Sequence, residues 1–327
     1  MVQQQALRDF AQAMANFFAG THGRPTWRKA GRHEGFRIVA VRPGHIRRLS
    51  RRTAEVWVPK AAWVRFRLPR PVPAGVKSYR VTQDRAGRWH LAFTAVPDPI
   101  PAPHNGALVG VDRGVAVSAA LSTGELLTAP GLGPFEARRS RKLQRRLARC
   151  RPGSQGRRRV KAALGRLRAR EVDRRKDWVE KTSTDLARRF DVIGMEALSI
   201  RHMTASARGS AARPGRGVKA KAGLNRSILA AGWGALARRL EHKAPGRVVT
   251  VDPAYTSQRC SACGTVDRKA RESQAAFRCR ACGQASNADV KAAKNIRTAA
   301  GRAVAAREGP RVAGPVHREP QSDPLSA

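Results

Sequence analysis

The chain has 327 residues, with 65 Lys and Arg against 23 Asp and Glu, a formal charge of +42 and a pI near 11.8. Its hydrophobic share of 41% supports a folded protein of two or three modules. So large a positive excess repels itself unless a polyanion neutralises it, and counterion release makes nucleic acid the natural partner. A membrane partner is not expected, because no apolar run reaches about 18 residues and MVQQQALRDF lacks the apolar core of a signal peptide.

Residues 3–20 place Leu7, Phe10, Met14, Phe17 and Phe18 on one helical face, ended by Gly20, Gly23 and Pro25. From Phe36 to about Val96 the pattern turns to short alternating strands: FRIVAV, AEVWVP, WVRFRL, KSYRVT and RWHLAFTAV. A small β-rich module is expected, a barrel or a curled sheet. Its outward Arg and Lys suit nucleic acid and equally suit a solvated face. PDPIPAPH, residues 97–104, reads as a linker.

A second module follows. ALVGVD, VAVSAALS and ELLTA are three strands, the last two joined by Ser-Thr-Gly. Residues 135–190 form an Arg-dense helical hairpin broken at Arg151-Pro152-Gly153, with a buried stripe of Leu143, Leu147, Val160, Leu164, Leu167 and Val179. Cys150 is an incidental thiol on it. DVIGME is a fourth strand. Residues 202–222 read as a mobile basic loop, and a helix is expected from about Leu224 to Lys243. RVVTVD is a fifth strand. A last helix starts near Asp289, and the tail from about Glu308 is expected to be disordered.

CSAC at Cys260 and CRAC at Cys279 are paired CxxC knuckles. Thiolates at i and i+3 of a tight turn reach one tetrahedral ion, and two knuckles close its coordination. Cys260, Cys263, Cys279 and Cys282 are therefore expected to bind one structural zinc ion, with Gly264 and Gly283 permitting the turns. A redox CxxC would use a single pair at a helix start.

The element order, three strands, helices, a strand, a helix, a strand and a helix, is the succession of an RNase H-like nuclease domain. Such a domain needs acids on its first strand, at the end of its fourth and at its last helix. Asp112, Glu196 and Asp289 stand there. Converging, they would hold two Mg²⁺ ions about 4 Å apart for phosphodiester hydrolysis. Pattern alone leaves other readings open. Each acid could be a strand-end or surface group, Asp289 a helix N-cap, and Asp191 and Asp252 compete for the role.

GVDRGV, GMEALSIRHM, KAGLNRSILAAGWG, VDPAYTSQRCSACG and FRCRACGQASNADVKAAKNI together resemble the TnpB (OrfB) family of insertion sequences, related to type V CRISPR effectors. NFFAGTHGRPTWRKAG and FRIV resemble it too. The resemblance spans roughly residues 5–300. It implies a helical recognition lobe, a β-barrel wedge module and an RNase H-like (RuvC) nuclease domain carrying the four-cysteine zinc ribbon. The expected division is 1–35, remnant of the lobe; 36–104, wedge and linker; 105–255, nuclease domain with the hairpin 135–190; 256–287, zinc ribbon; 288–305, final helix; 306–327, tail.

The implied activity is RNA-guided DNA cleavage by a transposon-associated endonuclease, with guide RNA from the transposon end and target DNA as partners. Catalysis would rest on Asp112, Glu196 and Asp289 with Mg²⁺, in a cytoplasmic, nucleoid-associated protein. The hairpin is a candidate wall for RNA or heteroduplex, through Arg138, Arg139, Arg141, Lys142, Arg145, Arg146, Arg157, Arg158 and Arg159; the basic loop is a candidate lid. Two departures bear on this. Family members usually carry more chain before Leu7, so a truncated, non-cutting remnant or regulator is the alternative. Lys291 stands where the family usually has Asn, and is expected either to perturb the metal site or to point outward.

Overall fold

The computed structural model describes residues 2–26 and 34–308. It divides into two compact units, one taking in the chain to Asp98 and Pro130–Arg174, the other Pro99–Ala129 and the chain from Arg175.

The first unit begins with helix α1 (Val2–Phe18). Its expected apolar face finds little cover: Leu7 is 69% and Phe18 76% exposed. Six strands follow: β1 (Gly35–Ile38), β2 (Ile46–Arg48), β3 (Thr53–Val58), β4 (Ala62–Arg67), β5 (Ser78–Gln83) and β6 (Trp89–Thr94). They form two antiparallel sheets, β1-β5-β6 and β2-β3-β4. Of the two forms expected, a barrel or a curled sheet, no closed barrel is seen among the described residues: the two sheets share a core but no ladder joins them. Ile38, Val56, Val58 and Tyr79 fill that core, with Phe36, Phe66 and Phe93 against it. Strand β2 escaped the sequence reading because three residues are too few to display an alternation.

Two helices complete this unit's elements, α2 (Pro134–Arg149) and α3 (Gln155–Arg189), the latter belonging to the first unit as far as Arg174. Pro134 sits at the first turn of α2, where its missing N–H costs nothing, and Glu136 accepts the Gly133 N–H at 3.1 Å. The break between the helices falls at Arg151-Pro152-Gly153, as expected.

The second unit is built on a five-stranded mixed sheet. Strands β7 (Leu108–Asp112), β8 (Ala119–Leu121) and β9 (Leu126–Leu127) form an antiparallel meander, and β10 (Val192–Glu196) and β11 (Val248–Val251) add in parallel. The order is β11-β10-β7-β8-β9. Between β10 and β11 lie α4 (Ile200–Met203), α5 (Val218–Ala231) and α6 (Trp233–Lys243). The single helix expected from Leu224 is thus two helices, broken at Gly232 with φ +76°. The expected loop 202–222 is shorter at both ends, and Gly209 and Pro214 bridge across its middle.

After β11 comes a segment with a two-stranded ribbon, β12 (Ala276–Arg278) and β13 (Ala285–Asn287), then α7 (Ala288–Glu308). The last helix runs to Glu308, past the expected 305; the remaining tail lies outside the described residues.

Parallel strands need cover on both faces, and the sheet has it. One face packs Val109, Val111, Ile193 and Met195 against Leu186, Leu236 and Leu240. The other packs Val249 and Val251 against Ile296 and Ala300 of α7. Helix α7 comes so close that a Cβ on Gly110 would stand 2.0 Å from the Ala293 carbonyl oxygen, and one on Gly194 2.7 Å from Ala300 Cβ. Both glycines exist to admit this helix.

Gly110→Ala must displace helix backbone, so it should cost about 3 kcal/mol and lower the melting midpoint by roughly 6–12 °C. Gly156→Ala on α3, whose Cβ would find only Ser154 Oγ at 4.0 Å, should leave the midpoint unchanged or slightly raised.

Candidate active site and cysteine cluster

Strands β7 and β10 run parallel with Val111 opposite Met195. Asp112 and Glu196 each follow by one residue, so both acids stand at the same carboxyl-terminal edge on neighbouring strands. Helix α7 delivers the third. Asn287 caps it, its Oδ1 accepting the N–H of Asp289 at 3.0 Å and of Val290 at 3.1 Å. The cap is therefore Asn287, and the Asp289 carboxylate is free to turn toward the sheet.

Burial raises Asp112 first, then repulsion from Glu196 and from Asp289, pushing its pKa up to about 7. Arg271 and Lys291 pull the other way. Glu196 and Asp289 are each 8% exposed. The Thr256 hydroxyl donates to Glu196 Oε1 at 2.6 Å, and Arg271 NH2 to Asp289 Oδ1 at 3.1 Å. The Arg113 guanidinium donates to the Glu196 carbonyl, and Trp233 Nε1 to the Gly114 carbonyl at 3.0 Å. Three carboxylates within one another's field offer the oxygen donors that hard divalent cations take.

The two competing acids are occupied elsewhere. Asp191 accepts the backbone N–H of His104 at 2.8 Å and of Gly106 at 2.6 Å. Asp252 closes a local turn through the Ala254 N–H at 2.9 Å. Sequence reasoning missed Thr256, Arg271 and Arg113. Their only signal was polarity next to the candidate acids, too common to pick them out. Lys291 resolves one open alternative: it does not point outward but is 0% exposed, and burial lowers its pKa to about 8.

The four cysteines converge. Their sulfurs all lie within 4.8 Å of one another, the only such group among the described residues. Cys260 Sγ lies 3.7 Å from Cys282 Sγ, and Cys263 Sγ 3.6 Å from Cys279 Sγ. A tetrahedron of thiolates about 2.3 Å from a zinc ion has edges of about 3.8 Å, whereas a disulfide would need about 2.05 Å. The quartet therefore fits zinc. Each knuckle is the same turn: the Gly264 N–H donates to Cys260 O at 3.1 Å and the Gly283 N–H to Cys279 O at 3.0 Å. Both glycines are left-handed, at φ +77° and +73°. Cys260 and Cys279 pack with Ala270, Phe277 and Ala288 in a small core, which joins the ribbon to the start of α7.

Of the expected nucleic-acid residues, Arg138, Arg139, Arg141, Lys142, Arg145 and Arg146 are exposed along α2. Arg158 and Arg159 are exposed on α3. Arg157 is committed otherwise: its guanidinium caps α2 by donating to Leu147 O at 2.8 Å and Cys150 O at 3.3 Å. No described helix is long and apolar enough to cross a membrane.

Two family models match, OrfB_IS605, described as "Probable transposase", over residues 91–207, and "Cas12f1-like, TNB domain" over residues 233–296. The first takes in Asp112 and Glu196, the second the cysteines and Asp289. The chain is 35% identical over 321 residues to "Putative RNA-guided DNA endonuclease InsQ" of Escherichia coli (strain K12), covering 97% of this chain and 78% of that protein. It is 33% identical to "Putative RNA-guided DNA endonuclease" of Streptomyces pristinaespiralis, covering 93% and 72%. Among solved structures, one of the Cas12f1–sgRNA–target DNA complex aligns with a TM-score of 0.49 at 15% identity, over 87% of this chain and 68% of that one. The chain belongs to the TnpB (OrfB) family.

In magnesium-free buffer, Asp112 should make stability fall with pH. Its folded-state pKa of about 7 lies above the ordinary 3.8, so the folded state keeps a proton that the unfolded chain releases. The penalty is absent below about pH 4, grows to pH 7 and reaches about 4 kcal/mol. Melting curves from pH 5 to 8 should show Asp112→Asn gaining on wild type as pH rises.

Proposed function

We propose that this protein is a transposon-associated, RNA-guided DNA endonuclease whose catalytic carboxylates are Asp112, Glu196 and Asp289. The observation that carries the reading is that Asp112 and Glu196 end neighbouring parallel strands at one sheet edge while Asp289 stands in the first turn of the helix packed on that sheet, with both other carboxylates raising the pKa of Asp112. The unit built on the five-stranded sheet is then an RNase H-like (RuvC) nuclease domain. Its strand order and its closing helix support that reading.

The three acids would hold two magnesium ions. When bound, these supply Lewis acidity that activates water and stabilises the leaving 3′ oxygen. The chain's own residues set up the rest. Thr256 orients Glu196, and Arg271 neutralises Asp289 and can turn toward a phosphate. Gly110 and Gly194 let α7 approach, so Asp289 comes within reach of the strand acids. Sequence choice comes from base pairing between a guide RNA and the target strand, while exposed arginines of α2 contact backbone phosphates without reading bases. The names of the relatives, an RNA-guided DNA endonuclease in each case, support this assignment.

The cysteine quartet is read as a structural zinc site with no catalytic part, because four thiolates leave no open position. It braces the nuclease site through Arg271 and through the core that joins the ribbon to α7.

Protein co-expressed with RNA from its own transposon end should cleave a matched DNA in Mg²⁺. Asp112→Ala should cut at least 1,000-fold more slowly, on the scale of removing an essential group, yet retain RNA. If wild type and variant both hold RNA and neither cuts any matched target, the endonuclease reading fails. For the ribbon, metal analysis should find one zinc per chain. Cys279→Ser should reduce cleavage by a larger factor than it weakens nucleic-acid affinity; the reverse order would make the ribbon a binding element instead.

A further inference from the structure

Lys291 stands two residues beyond Asp289 on α7 and is 0% exposed. Lysine is among the side chains least often enclosed, and a buried ammonium is costly unless its hydrogens find partners. Here it donates to the backbone carbonyls of Ser257 at 2.7 Å and Thr256 at 3.3 Å, and lies 4.2 Å from the centre of the Phe277 ring. One turn along the same face, Asn295 Nδ2 donates to Thr256 O at 2.9 Å and Arg259 O at 2.7 Å. Two side chains of α7 thus grip the backbone of residues 256–259, the stretch that leads from β11 into the first knuckle cysteine.

That stretch also carries a contact to the acids. The Thr256 hydroxyl donates to Glu196 Oε1 at 2.6 Å. A carboxylate can rotate about its side-chain bonds, and a short hydrogen bond to one oxygen fixes which oxygen faces the other acids. The hydroxyl can do so only if the Thr256 backbone is itself held. Lys291 holds it while also lying over Phe277 in the core of the cysteine ribbon.

We propose that Lys291 is a positioning residue: by gripping the Thr256–Ser257 backbone against α7 it sets the Thr256 hydroxyl that orients Glu196, and so raises the affinity of the acid cluster for a divalent cation. This rests on the reading of Asp112, Glu196 and Asp289 as a metal-holding set. Lys291 touches no reacting atom on this account; beyond the charge it places near Asp112, which by itself would oppose cation binding, it acts through Thr256.

The test uses the full chain and Mn²⁺ as a paramagnetic probe, with free Mn²⁺ followed by electron paramagnetic resonance. Wild type, Lys291→Met, Thr256→Val and the double variant form a cycle, with Asp112→Ala as the control for the site. Methionine matches lysine in length and suits an enclosed position. Each single variant should weaken Mn²⁺ binding about tenfold, the usual effect of losing a group that orients a ligand. The double variant should be within twofold of Thr256→Val alone. A residue that only stabilised the fold would add its loss in either background. The proposal is overturned if Lys291→Met binds Mn²⁺ like wild type, or if its loss is undiminished beside Thr256→Val. Should Lys291→Met fail to fold, Asn295→Ala releases the same backbone and enters the same cycle, where full additivity overturns the proposal. If Asp112→Ala binds Mn²⁺ as well as wild type does, the acids are not the metal site and both readings fall. If Asp112→Ala abolishes binding while Lys291→Met leaves it unchanged, the positioning role alone falls.

Discussion

Asp112 lies buried within the field of Glu196 and Asp289, and the contacts around these three acids are arranged against that crowding. Asp112 pays most visibly, with burial and two neighbouring acids raising its pKa to about 7. A folded chain tolerates such crowding when cations or hydrogen-bond donors surround it. Here Arg271 pairs with Asp289, Thr256 bonds Glu196 and Arg113 takes the Glu196 carbonyl. On the proposed reading, a bound divalent cation would offset the remaining repulsion.

Helix α7 is the element that makes the arrangement possible. Its first turn carries Asp289, its next positions present Lys291 and Asn295 to residues 256–259, and its middle slides over Gly110 and Gly194. Its start is fixed by Asn287 and by packing between the ribbon and Ala288. The cysteine quartet shares a small core with Ala288, so on the proposed reading it helps set where the third acid points.

Most of this second unit was legible in the sequence because its signals are strong and local. Buried strands read as apolar runs, the knuckles as CxxC with following glycines, and the acids as charges at the ends of GVD and VIGME. What was not legible depended on contacts between distant residues. Asp289 and Asn287 both suit a helix cap, and only the folded chain shows that Asn287 takes it. Lys291 looks like any helix-surface lysine until the 256–259 backbone is laid against it. The first unit was read less well for a different reason. Alternation identifies strands but not which edges pair, so five strand patterns leave a barrel or a curled sheet open where two three-stranded sheets share a core. Arg157 counted as one more basic residue, although its guanidinium is used to end α2.

Charge and chemistry divide between the two units. The exposed arginines of α2 belong to the first and the acids to the second, so on the proposed reading holding a polyanion and hydrolysing it fall to different units. The central claim is that Asp112, Glu196 and Asp289 act together as one divalent-cation site. The most direct measurement is the melting midpoint of nucleic-acid-free protein titrated with MgCl₂, for wild type and for Asp112→Asn combined with Asp289→Asn. The account predicts that wild type gains stability with rising Mg²⁺, by about 2.7 kcal/mol at 100 times the dissociation constant, while the double variant gains none. Equal gains in the two proteins, or no gain in wild type, would contradict it.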